Sequence, residues 1–471
     1  MNFDRVMIAA PKSGSGKTTI TCALLQVLKE WGKKVVSYKC GPDYIDPMFH
    51  EKIIEVPSKN LDTFFTGEEK TKELFLKDKD KEDFVVLEGV MGLYDGLGGI
   101  REEGSSYHLA KVTKTPIILV VDAKGMGRSV ISLIAGFLAY DKEHLIQGVI
   151  LNRMSKSYYE ILKPLLEEEL QISILGYFPE HKNLHMASRH LGLVMPDEIA
   201  CIQEQLQYAA EAFRKTVSVE EILQMAKKAE EFCEEGVQDS IQSPKRCEKI
   251  KKQLSDDKPV IAVARDEAFC FYYADNLLML KEKGAELKFF SPLHDSKVPT
   301  DCHALLIGGG YPEQFARQLS VNQDMIDSIQ KAAQRGMPMV AECGGFMYLH
   351  ETLIDKEGVC YKMAAVVPAV CSYTDKLVRF GYIELQEKQS SFGSFLPKGE
   401  RIRGHEFHYY DSTNNGDSCL AKKPVTGKEY SCIIEGENYW FGFPHLYYPS
   451  NPAFVKKFVE KARKYKGNID T

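Results

Sequence analysis

The chain is 471 residues long, which is more than one hydrophobic core usually organises, so its length predicts two domains. Hydrophobic residues make up 44% and charged residues 27% of it, as in ordinary soluble globular proteins. The formal net charge of -6 gives no electrostatic case for a nucleic-acid partner. No apolar run is long enough to cross a bilayer, and the N-terminal segment lacks the apolar core of a signal peptide. We therefore expect a cytoplasmic protein without nucleic-acid or membrane partners.

The N-terminal half alternates short β-rich runs with helical stretches such as Thr18–Trp31 and Arg128–Tyr140. The predicted strands are Arg5–Ala9, Lys34–Tyr38, Phe84–Leu87, Ile117–Val121, Gly148–Leu151 and Ile172–Gly176. This alternation predicts a mostly parallel sheet covered by helices on both faces. Ligands of such sheets bind at the carboxyl ends of the strands, so functional residues are expected directly after each strand.

The first predicted strand is followed by PKSGSGKTT (Pro11–Thr19) and then by a helix. Backbone N–H groups of such a glycine-rich loop, with the positive end of the helix, hold phosphate oxygens. Lys17 would contact the terminal phosphates, and the Thr18 hydroxyl would join the shell of Mg²⁺. The common motif has glycine at the position of Pro11, so this loop is a variant, with Lys12 in the place of an extra lysine. The predicted ATP-binding residues of the loop are Lys12, Gly14, Ser15, Gly16, Lys17, Thr18 and Thr19.

Polar residues also follow other predicted strands. Glu88 ends the third strand, where an acid can orient Mg²⁺ or its water, and Asp43 lies in the loop after the second. We predict a metal site formed by Thr18, Asp43 and Glu88. Asp122 and Asn152 end the fourth and fifth strands, and the Asn152 amide could read the adenine edge of ATP. Taken singly, such a residue is more often a helix cap or a solvated loop charge than a ligand, but four of them at the sheet edge that carries the phosphate loop favour a functional role.

A polar segment without aromatic residues lies before Pro259, and it predicts the connection between two domains. We place an N-terminal domain at residues 1–235, a linker at 236–257 and a C-terminal domain at 258–471. A second alternation of strand and helix begins after the linker. Its predicted strands are Val260–Ala264, Glu286–Phe290, Ala304–Ile307 and Pro338–Ala341. After about Gly358 the sequence is richer in strand than in helix.

The segment MPMVAECGGF (Met337–Phe346) predicts a strand, a sharp turn and a helix. A nucleophile on such a turn is lifted above the sheet edge, and the glycines relieve crowding. The positive end of the helix is expected to lower the pKa of the Cys343 thiol. The twelve cysteines form no C-x-x-C pair, and most are expected to be buried and inert. The local setting therefore predicts Cys343 as a catalytic nucleophile.

Two further groups are expected close to this cysteine. A glycine run after another predicted strand offers N–H groups that could form an oxyanion hole with the amide that follows Cys343. The oxyanion residues predicted in this way are Gly309, Gly310 and Gly344. The general base should be a histidine from elsewhere in the fold. Sequence spacing leaves three candidates open, which are His405, His408 and His445.

Longer motifs run through both halves of the chain. They are KCGPDYIDPMFH (Lys39–His50), EGVMGLYDG (Glu88–Gly96), AECGGFMYL (Ala341–Leu349), RGHEFHY (Arg403–Tyr409) and PHLYYPSNP (Pro444–Pro452). Taken together they resemble, nearly end to end, the cobyrinate a,c-diamide synthase family of glutamine-dependent amidotransferases. This resemblance implies an α/β fold in which a dethiobiotin-synthetase-like P-loop domain is joined to a class I glutamine amidotransferase domain.

The resemblance also implies roles for single residues. It selects His445 as the partner of Cys343, because PHLYYPSNP matches the catalytic-histidine block of the family. Many class I glutaminases have a glutamate two residues after this histidine, whereas Tyr447 stands there in this chain. The third member of the site is therefore absent or comes from elsewhere. The residues expected to face the substrate are Tyr44, Ile45, Asp46 and Asp95.

The activity implied by the resemblance is amidation of the a and c acetate groups of cobyrinate, in cobalamin biosynthesis. ATP with Mg²⁺ would form acyl phosphates, and a glutaminase at Cys343 would supply ammonia. The implied partners are L-glutamine and a corrin polycarboxylate, and a homodimer is one expected assembly. Three alternatives stay open: the same chemistry on another tetrapyrrole such as nickel sirohydrochlorin, a dimerising switch ATPase, and a binding protein with a decayed glutaminase.

Overall fold

The computed structural model of the protein describes residues 3–77, 83–180, 196–231, 258–388 and 394–469. The chain divides into two compact units, Met1–Gly236 and Val237–Thr471, which are called the first and the second unit below. The predicted linker over residues 236–257 lies outside the described residues. The exact limits of the two domains therefore stay a prediction.

The first unit contains a seven-stranded sheet whose neighbouring strands all pair in parallel. Its strands are β1 (Asp4–Ala9), β2 (Val35–Cys40), β3 (Ser58–Leu61), β4 (Phe84–Glu88), β5 (Ile117–Asp122), β6 (Ile146–Asn152) and β7 (Ser173–Phe178). Their order in space is β3-β2-β4-β1-β5-β6-β7. All six predicted strands are present, and β3 is an additional strand at the edge.

Helices separate most of these strands along the chain. They are α1 (Lys17–Glu30), α2 (Ile45–Phe49), a π-helical turn (His50–Ile54), α3 (Thr63–Leu76), a 3₁₀ turn (Leu97–Gly99), α4 (Ser106–Val112), α5 (Ser129–Tyr140), α6 (Lys156–Leu170), α7 (Pro196–Thr216) and α8 (Val219–Lys227). Strands covered on both faces need continuous apolar runs, and the residues from Val6 to Ala10 and from Ile117 to Val121 are all buried. Residues of α1 from Ile20 to Leu28 join the same core.

The second unit is richer in strand. Its strands are β8 (Val260–Ala264), β9 (Glu286–Phe290), β10 (Ala304–Ile307), β11 (Met339–Glu342), β12 (His350–Ile354), β13 (Cys360–Lys362), β14 (Val367–Tyr373), β15 (Arg379–Glu387), β16 (Arg401–His408), β17 (Tyr410–Ser412), β18 (Cys419–Lys422), β19 (Glu429–Cys432), β20 (Ile434–Gly436), β21 (Tyr439–Gly442) and β22 (His445–Leu446). Its helices are α9 (Ala274–Glu282), α10 (Ala316–Val321), α11 (Gln323–Gln334), α12 (Gly344–Tyr348) and α13 (Pro452–Ile469), with 3₁₀ turns at Pro312–Phe315 and Tyr448–Ser450.

Three sheets organise this unit. A six-stranded sheet has the order β20-β21-β11-β10-β8-β9 and is parallel except for the antiparallel pair of β20 and β21. A four-stranded sheet has the order β13-β12-β14-β17, and a five-stranded sheet has the order β19-β18-β15-β16-β22. In the last sheet the short strand β22 pairs antiparallel with β16, with His405 opposite His445.

The predicted α/β class is therefore confirmed in both units. The strand-rich sequence after Gly358 forms β13 to β22, as expected. Among the described residues, no helix combines the length and apolar character that crossing a membrane requires.

Candidate active sites

The loop between β1 and α1 has the form expected for phosphate binding. Gly14 and Gly16 have φ angles of 77° and 96°, in the left-handed region that favours glycine. A Cβ on Gly16 would also clash with the side-chain amide of Asn152. Gly16 caps α1 without a side-chain hydrogen bond, so the first N–H groups of the helix are not used by a capping side chain. Such N–H groups favour an anion.

Side chains from the end of β6 hold this loop. The Asn152 Nδ2 donates to the Ser15 carbonyl at 2.8 Å, and an Arg153 guanidinium nitrogen donates to the Gly14 carbonyl at 2.8 Å. Arg153 also pairs with Asp122 at 3.1 Å. The adenine contact of Asn152 stays a prediction, because the observed contacts make it a support of the loop. Sequence reasoning missed Arg153, although it directly follows Asn152.

Lys17 is the first residue of α1, directly after the loop, and its side chain is buried. Its Nζ donates to the Met91 carbonyl at 2.5 Å and lies 3.5 Å from the Lys12 carbonyl. Burial and the positive charge of Lys39 lower its pKa to about 8. An anionic ligand would offset both effects, so the position suits phosphate. The side chain of Lys12 is exposed and that of Thr19 is half-buried, and their ATP contacts stay predictions.

A cluster of charged groups lies at the carboxyl ends of β2 and β4, whose register places Lys39 opposite Glu88. The Thr18 hydroxyl donates to Glu88 Oε1 at 2.7 Å and lies 3.5 Å from Asp46 Oδ2. The ammonium of Lys39 pairs with Asp46 at 2.5 Å and with Glu88 at 2.9 Å. Lys39 is 3% exposed, so this pairing is shielded from water. Sequence reasoning did not identify Lys39 as a member of the site.

The two acids of this cluster have opposite pKa shifts. Burial and the negative charge of Asp46 raise the pKa of Glu88 to about 8. Burial opposes ionisation of Asp46 as well, but the adjacent Lys39 outweighs it and lowers the pKa of Asp46 to about 2. Asp46 is thus the permanent anion, while Glu88 can carry a proton near neutral pH.

The same oxygens decide how well Mg²⁺ would fit. Carboxylate and hydroxyl oxygens are the ligands that Mg²⁺ prefers. Oε2 of Glu88 is buried and makes no hydrogen bond, with His50 Nε2 at 3.5 Å from it. Within the described part of the chain, no three His, Cys, Asp or Glu side chains form a ready metal site. The residues therefore fit Mg²⁺ only as a partial shell, from Thr18 and acidic oxygens, which phosphates of ATP would complete.

Asp43 was predicted as a metal ligand, but its carboxylate accepts hydrogen bonds from the backbone instead. Its Oδ1 accepts hydrogen bonds from the backbone N–H groups of Ile45 at 2.8 Å and Asp46 at 3.4 Å. An aspartate in this geometry fixes the start of a short helix. The structure brings Asp46, rather than Asp43, next to Thr18 and Glu88. The metal role of Asp43 stays a prediction.

The residues expected to face the substrate are only partly accessible. Tyr44 is 8% exposed, and Ile45 is half-buried and packs against the core of the first unit. Asp46 is 5% exposed and is paired with Lys39. Asp95 accepts a hydrogen bond from the Gly92 N–H at 3.0 Å and so fixes the turn after Met91. Their contact with a substrate stays a prediction.

The second unit contains the predicted cysteine turn, between β11 and α12. Cys343 has φ 47° and ψ -105°, a conformation that is strained for a residue with a side chain. Its N–H donates to the Gly442 carbonyl at 2.8 Å, which anchors the turn to β21. A Cβ on Gly345 would clash with the Ile307 carbonyl, so glycine is required there. The arrangement has the form of a nucleophile elbow, and the catalytic role of Cys343 stays a prediction.

The expected effect of the helix on this thiol is wrong. Burial, and then the nearby Glu313, raise the pKa of Cys343 far above its ordinary value. Helix α12 has only five residues, and the thiol is almost fully enclosed, so desolvation outweighs the helix dipole. Desolvation therefore favours the neutral thiol, and a nucleophilic role for Cys343 would need a base.

His445 is the histidine that the fold brings to the glycine loop after β10. A Cβ on Gly309 would clash with its ring, and a Cβ on Gly344 would lie 3.1 Å from the Gly310 backbone nitrogen. The loop thus contacts both the histidine and the residue after Cys343. Burial, and then the charge of His408, lower the pKa of His445 to about 3. The oxyanion role of these glycines stays a prediction.

The other two candidate bases have different surroundings. His408 stacks on Phe443 with ring centroids 4.1 Å apart, and its Nδ1 is bonded to the Tyr410 carbonyl at 2.7 Å. His405 lies next to His445, with ring centroids 4.8 Å apart. These contacts give His408 a packing role and leave His445 as the ring against the glycine loop.

Two buried acids hold the segment that carries His445. Glu342 accepts from the Leu446 N–H at 3.4 Å and from the Tyr448 hydroxyl at 3.2 Å, and burial raises its pKa to about 8. The Tyr447 hydroxyl donates to Asp275 of α9 at 2.8 Å. In place of the glutamate found in many class I glutaminases, the chain thus has a tyrosine bonded to a carboxylate.

Comparisons with known proteins agree with this division. Residues 6–194 match the family model described as the CobQ/CobB/MinD/ParA nucleotide binding domain. Residues 260–446 match the model described as the CobB/CobQ-like glutamine amidotransferase domain. The second match argues against the switch-ATPase alternative, since such a switch has no use for an amidotransferase half. The two predicted halves, nucleotide-binding and glutamine-amidotransferase, are therefore confirmed.

Several relatives of nearly the same length share the same name. The cobyrinate a,c-diamide synthase of Caldanaerobacter subterraneus is 38% identical over 462 residues, which cover 98% of this chain and 98% of the relative. The protein of that name from Dehalococcoides mccartyi is 36% identical and covers 99% of both chains. That from Listeria innocua is 37% identical, over 96% of this chain and 98% of its own. The chain therefore belongs to the cobyrinate a,c-diamide synthase family, whose members are glutamine-dependent amide ligases.

Proposed function

We propose that the chain amidates the a and c acetate carboxylates of cobyrinate, using ATP and glutamine. The observation that carries the proposal is the likeness to synthases of that name at 36–38% identity over nearly the whole chain. The phosphate loop and the cysteine elbow support it, because the first suits carboxylate activation and the second suits ammonia release.

The first unit would activate the carboxylate. A carboxylate is a poor electrophile, since attack adds charge to an anion, whereas an acyl phosphate has a good leaving group. Lys17 would offset charge on the phosphoryl group as it is transferred, and the N–H groups at the start of α1 would hold the phosphates. When bound, Mg²⁺ supplies further neutralisation of phosphate charge. Thr18 and Glu88, with Asp46 nearby, are the residues that would hold it.

The second unit would release ammonia from glutamine. His445 takes the proton of the Cys343 thiol, and the sulfur attacks the carbon of the side-chain amide. The C–N bond then breaks, and the imidazolium of His445 returns its proton to the leaving nitrogen, which departs as ammonia. Water hydrolyses the remaining thioester to glutamate and free thiol. Gly309, Gly310 and Gly344 would stabilise the oxyanion of both tetrahedral steps.

The separation of roles is tested with Cys343→Ala in the full-length protein. Glutamine-dependent amidation of cobyrinate should vanish, while amidation with added ammonium salt should persist, because the first unit is untouched. Cys302→Ala is the matched control, a buried cysteine of the second unit whose thiol contacts Met337. Loss of both activities in Cys343→Ala would overturn the two-site proposal.

The substrate is tested by product identification. The wild-type protein is incubated with ATP, glutamine and either cobyrinate or nickel sirohydrochlorin, and products are identified by mass spectrometry. Two amide groups on cobyrinate are the expected result. Amidation of nickel sirohydrochlorin alone would overturn the assignment of the substrate and leave the chemistry in place.

A further inference from the structure

The catalytic histidine of many cysteine and serine hydrolases is oriented by a carboxylate that also stabilises its protonated form. In this chain the position two residues after His445 is Tyr447, whose hydroxyl donates to Asp275 at 2.8 Å. Directly after strand β22, the chain therefore has a phenol where a carboxylate is usual. A different group next to the imidazole has to be considered for the same task.

His405 is that neighbour. It lies directly opposite His445 in the antiparallel register of β16 and β22. The two imidazole rings are stacked, with centroids 4.8 Å apart and planes inclined by 15°. Their close approach is made by Gly404, because a Cβ there would clash with the carbonyl of His445. The stack therefore depends on the backbone as well as on the two rings.

The ring of His405 is itself held in place. Its Nδ1 is bonded to the Tyr273 hydroxyl at 3.0 Å, and His405 is 7% exposed. The Tyr273 ring meets the ring of Tyr447 edge-on, with centroids 5.1 Å apart. His445 also packs against the Gly309 backbone. Contacts from β16 and the glycine loop thus restrict the rotation of the His445 ring, while Tyr273, next to α9, restricts that of His405.

The surroundings of the two stacked imidazole rings favour a state in which at most one of them is protonated. Burial, and then His445 and Lys423, keep the pKa of His405 well below its usual range. Burial and the charge of His408 lower the pKa of His445. Lys423 is paired with Glu406 at 3.3 Å, which offsets part of its charge. When His445 accepts the proton of Cys343, it therefore faces a neutral aromatic ring, and such a ring attracts a cation over its face.

We propose that His405 is a positioning residue, whose stacked neutral ring orients His445 and stabilises its imidazolium form, the task usually given to a carboxylate. This inference rests on the proposed glutaminase at Cys343. His405 acts through His445 and does not touch the glutamine. Its requirement is an aromatic face, rather than a second proton carrier.

The experiment uses the full-length protein with L-glutamine, and compares wild type, His405→Ala, His405→Phe and Tyr273→Phe. Glutamate release should fall about tenfold in kcat for His405→Ala, with KM for glutamine nearly unchanged. His405→Phe keeps an aromatic face and should stay within about threefold of wild type. Tyr273→Phe removes only the hydroxyl that anchors His405, and its effect should lie between the other two.

A second readout separates positioning from a merely structural role. Alkylation of Cys343 by iodoacetamide reports its thiolate, which forms together with the imidazolium of His445. The pH profile of alkylation should move to higher pH in His405→Ala and return toward wild type in His405→Phe. Amidation with ammonium salt should be the same in all variants, because it depends on the first unit, and fluorescence of the buried Trp440 in a Trp31→Phe background reports whether the second unit is folded.

The outcomes distinguish this inference from the proposed function. Wild-type kcat in His405→Ala, or equal damage by His405→Ala and His405→Phe, would overturn the role of His405. If His405→Ala does not fold, an unchanged alkylation profile in Tyr273→Phe overturns it instead. Cys343→Ala is measured in parallel, and glutamate release by that variant would overturn the glutaminase itself.

Discussion

The two candidate sites treat buried charge in opposite ways. Around the phosphate loop, Lys39 pairs with two acids within 2.9 Å, and Lys17 lies nearby. Around the cysteine elbow, burial holds Cys343 and His445 in their neutral forms. The first site is thus prepared for ionic ligands, whereas the second develops charge only when a proton moves. Each arrangement suits its ligand, because ATP is a polyanion and the side chain of glutamine is uncharged.

The largest expected effect on activity is that of removing Lys17, the buried cation next to the phosphate loop. Lys17→Ala should lower cobyrinate amidation by about a hundredfold or more with either nitrogen source, because the phosphoryl group loses its positive partner. Glutamate release at Cys343 should remain. Lys33→Ala, an exposed lysine of the same unit, is the control. An equal loss of glutaminase and amidation would contradict the independence of the two sites.

A stability effect should be specific to the charged site. Lys39→Met leaves Asp46 and Glu88 buried without their cation, so the free energy of unfolding should fall by about 3–5 kcal/mol. Hydrogen exchange of β2 and β4 amides measures it. Adding Asp46→Asn should restore part of the loss, because Asp46 is the acid that stays ionised at neutral pH.

The control for this prediction is Lys29→Met. Its pairing with Glu55 is exposed to solvent, so the free energy of unfolding should change little. Equal losses in Lys29→Met and Lys39→Met would show that burial of the Lys39 cluster contributes nothing.

The third effect tests the neutral site and depends on pH. The pKa of Glu342 is raised by burial from 4.5 to about 8 in the folded chain. Between these values the unfolded carboxyl has lost its proton and the folded one keeps it, so rising pH favours unfolding. Relative to Glu342→Gln, the wild type should lose up to about 1.4 kcal/mol of unfolding free energy per pH unit in this window.

This difference can be followed by urea unfolding with fluorescence of Trp440, in a Trp31→Phe background. Trp440 is buried in the second unit, so it reports on the unit that contains Glu342. Glu351→Gln, an exposed acid on β12, should show no such trend. A difference between wild type and Glu342→Gln that is constant with pH would mean that Glu342 is ionised in the folded chain.

Prediction from the sequence was most successful for sites formed by residues that are adjacent in the chain. The phosphate loop and the cysteine turn are short motifs with required glycines, and the structure gives both the expected local form. Strands with continuous apolar runs were also predicted, whereas Ser58–Leu61 was missed because SKNL has no such pattern. Ser58, Asn60 and Leu61 are buried all the same, and hydrogen bonds of the Ser58 and Asn60 side chains to Ser37 and Gly41 take the place of apolar packing.

The features of the sites that the sequence did not reveal depend on contacts between residues distant in the chain and on how deeply side chains are buried. Lys39 meets Glu88 only through the register of β2 and β4, and His405 meets His445 only through that of β16 and β22. The pKa of Cys343 was predicted in the wrong direction, because its enclosure by the fold is not visible in the motif. Local sequence patterns predict which side chains form a site, whereas the tertiary structure decides their protonation states.

The lack of space at Gly404 makes this position intolerant of any other residue. Any substitution there has to push β22 away from β16, and with it the histidine that β22 carries. Such a mutation would damage ammonia release while the first unit kept its own fold and chemistry. In the proposed reaction, a protein with this substitution would work with added ammonium salt and fail with glutamine.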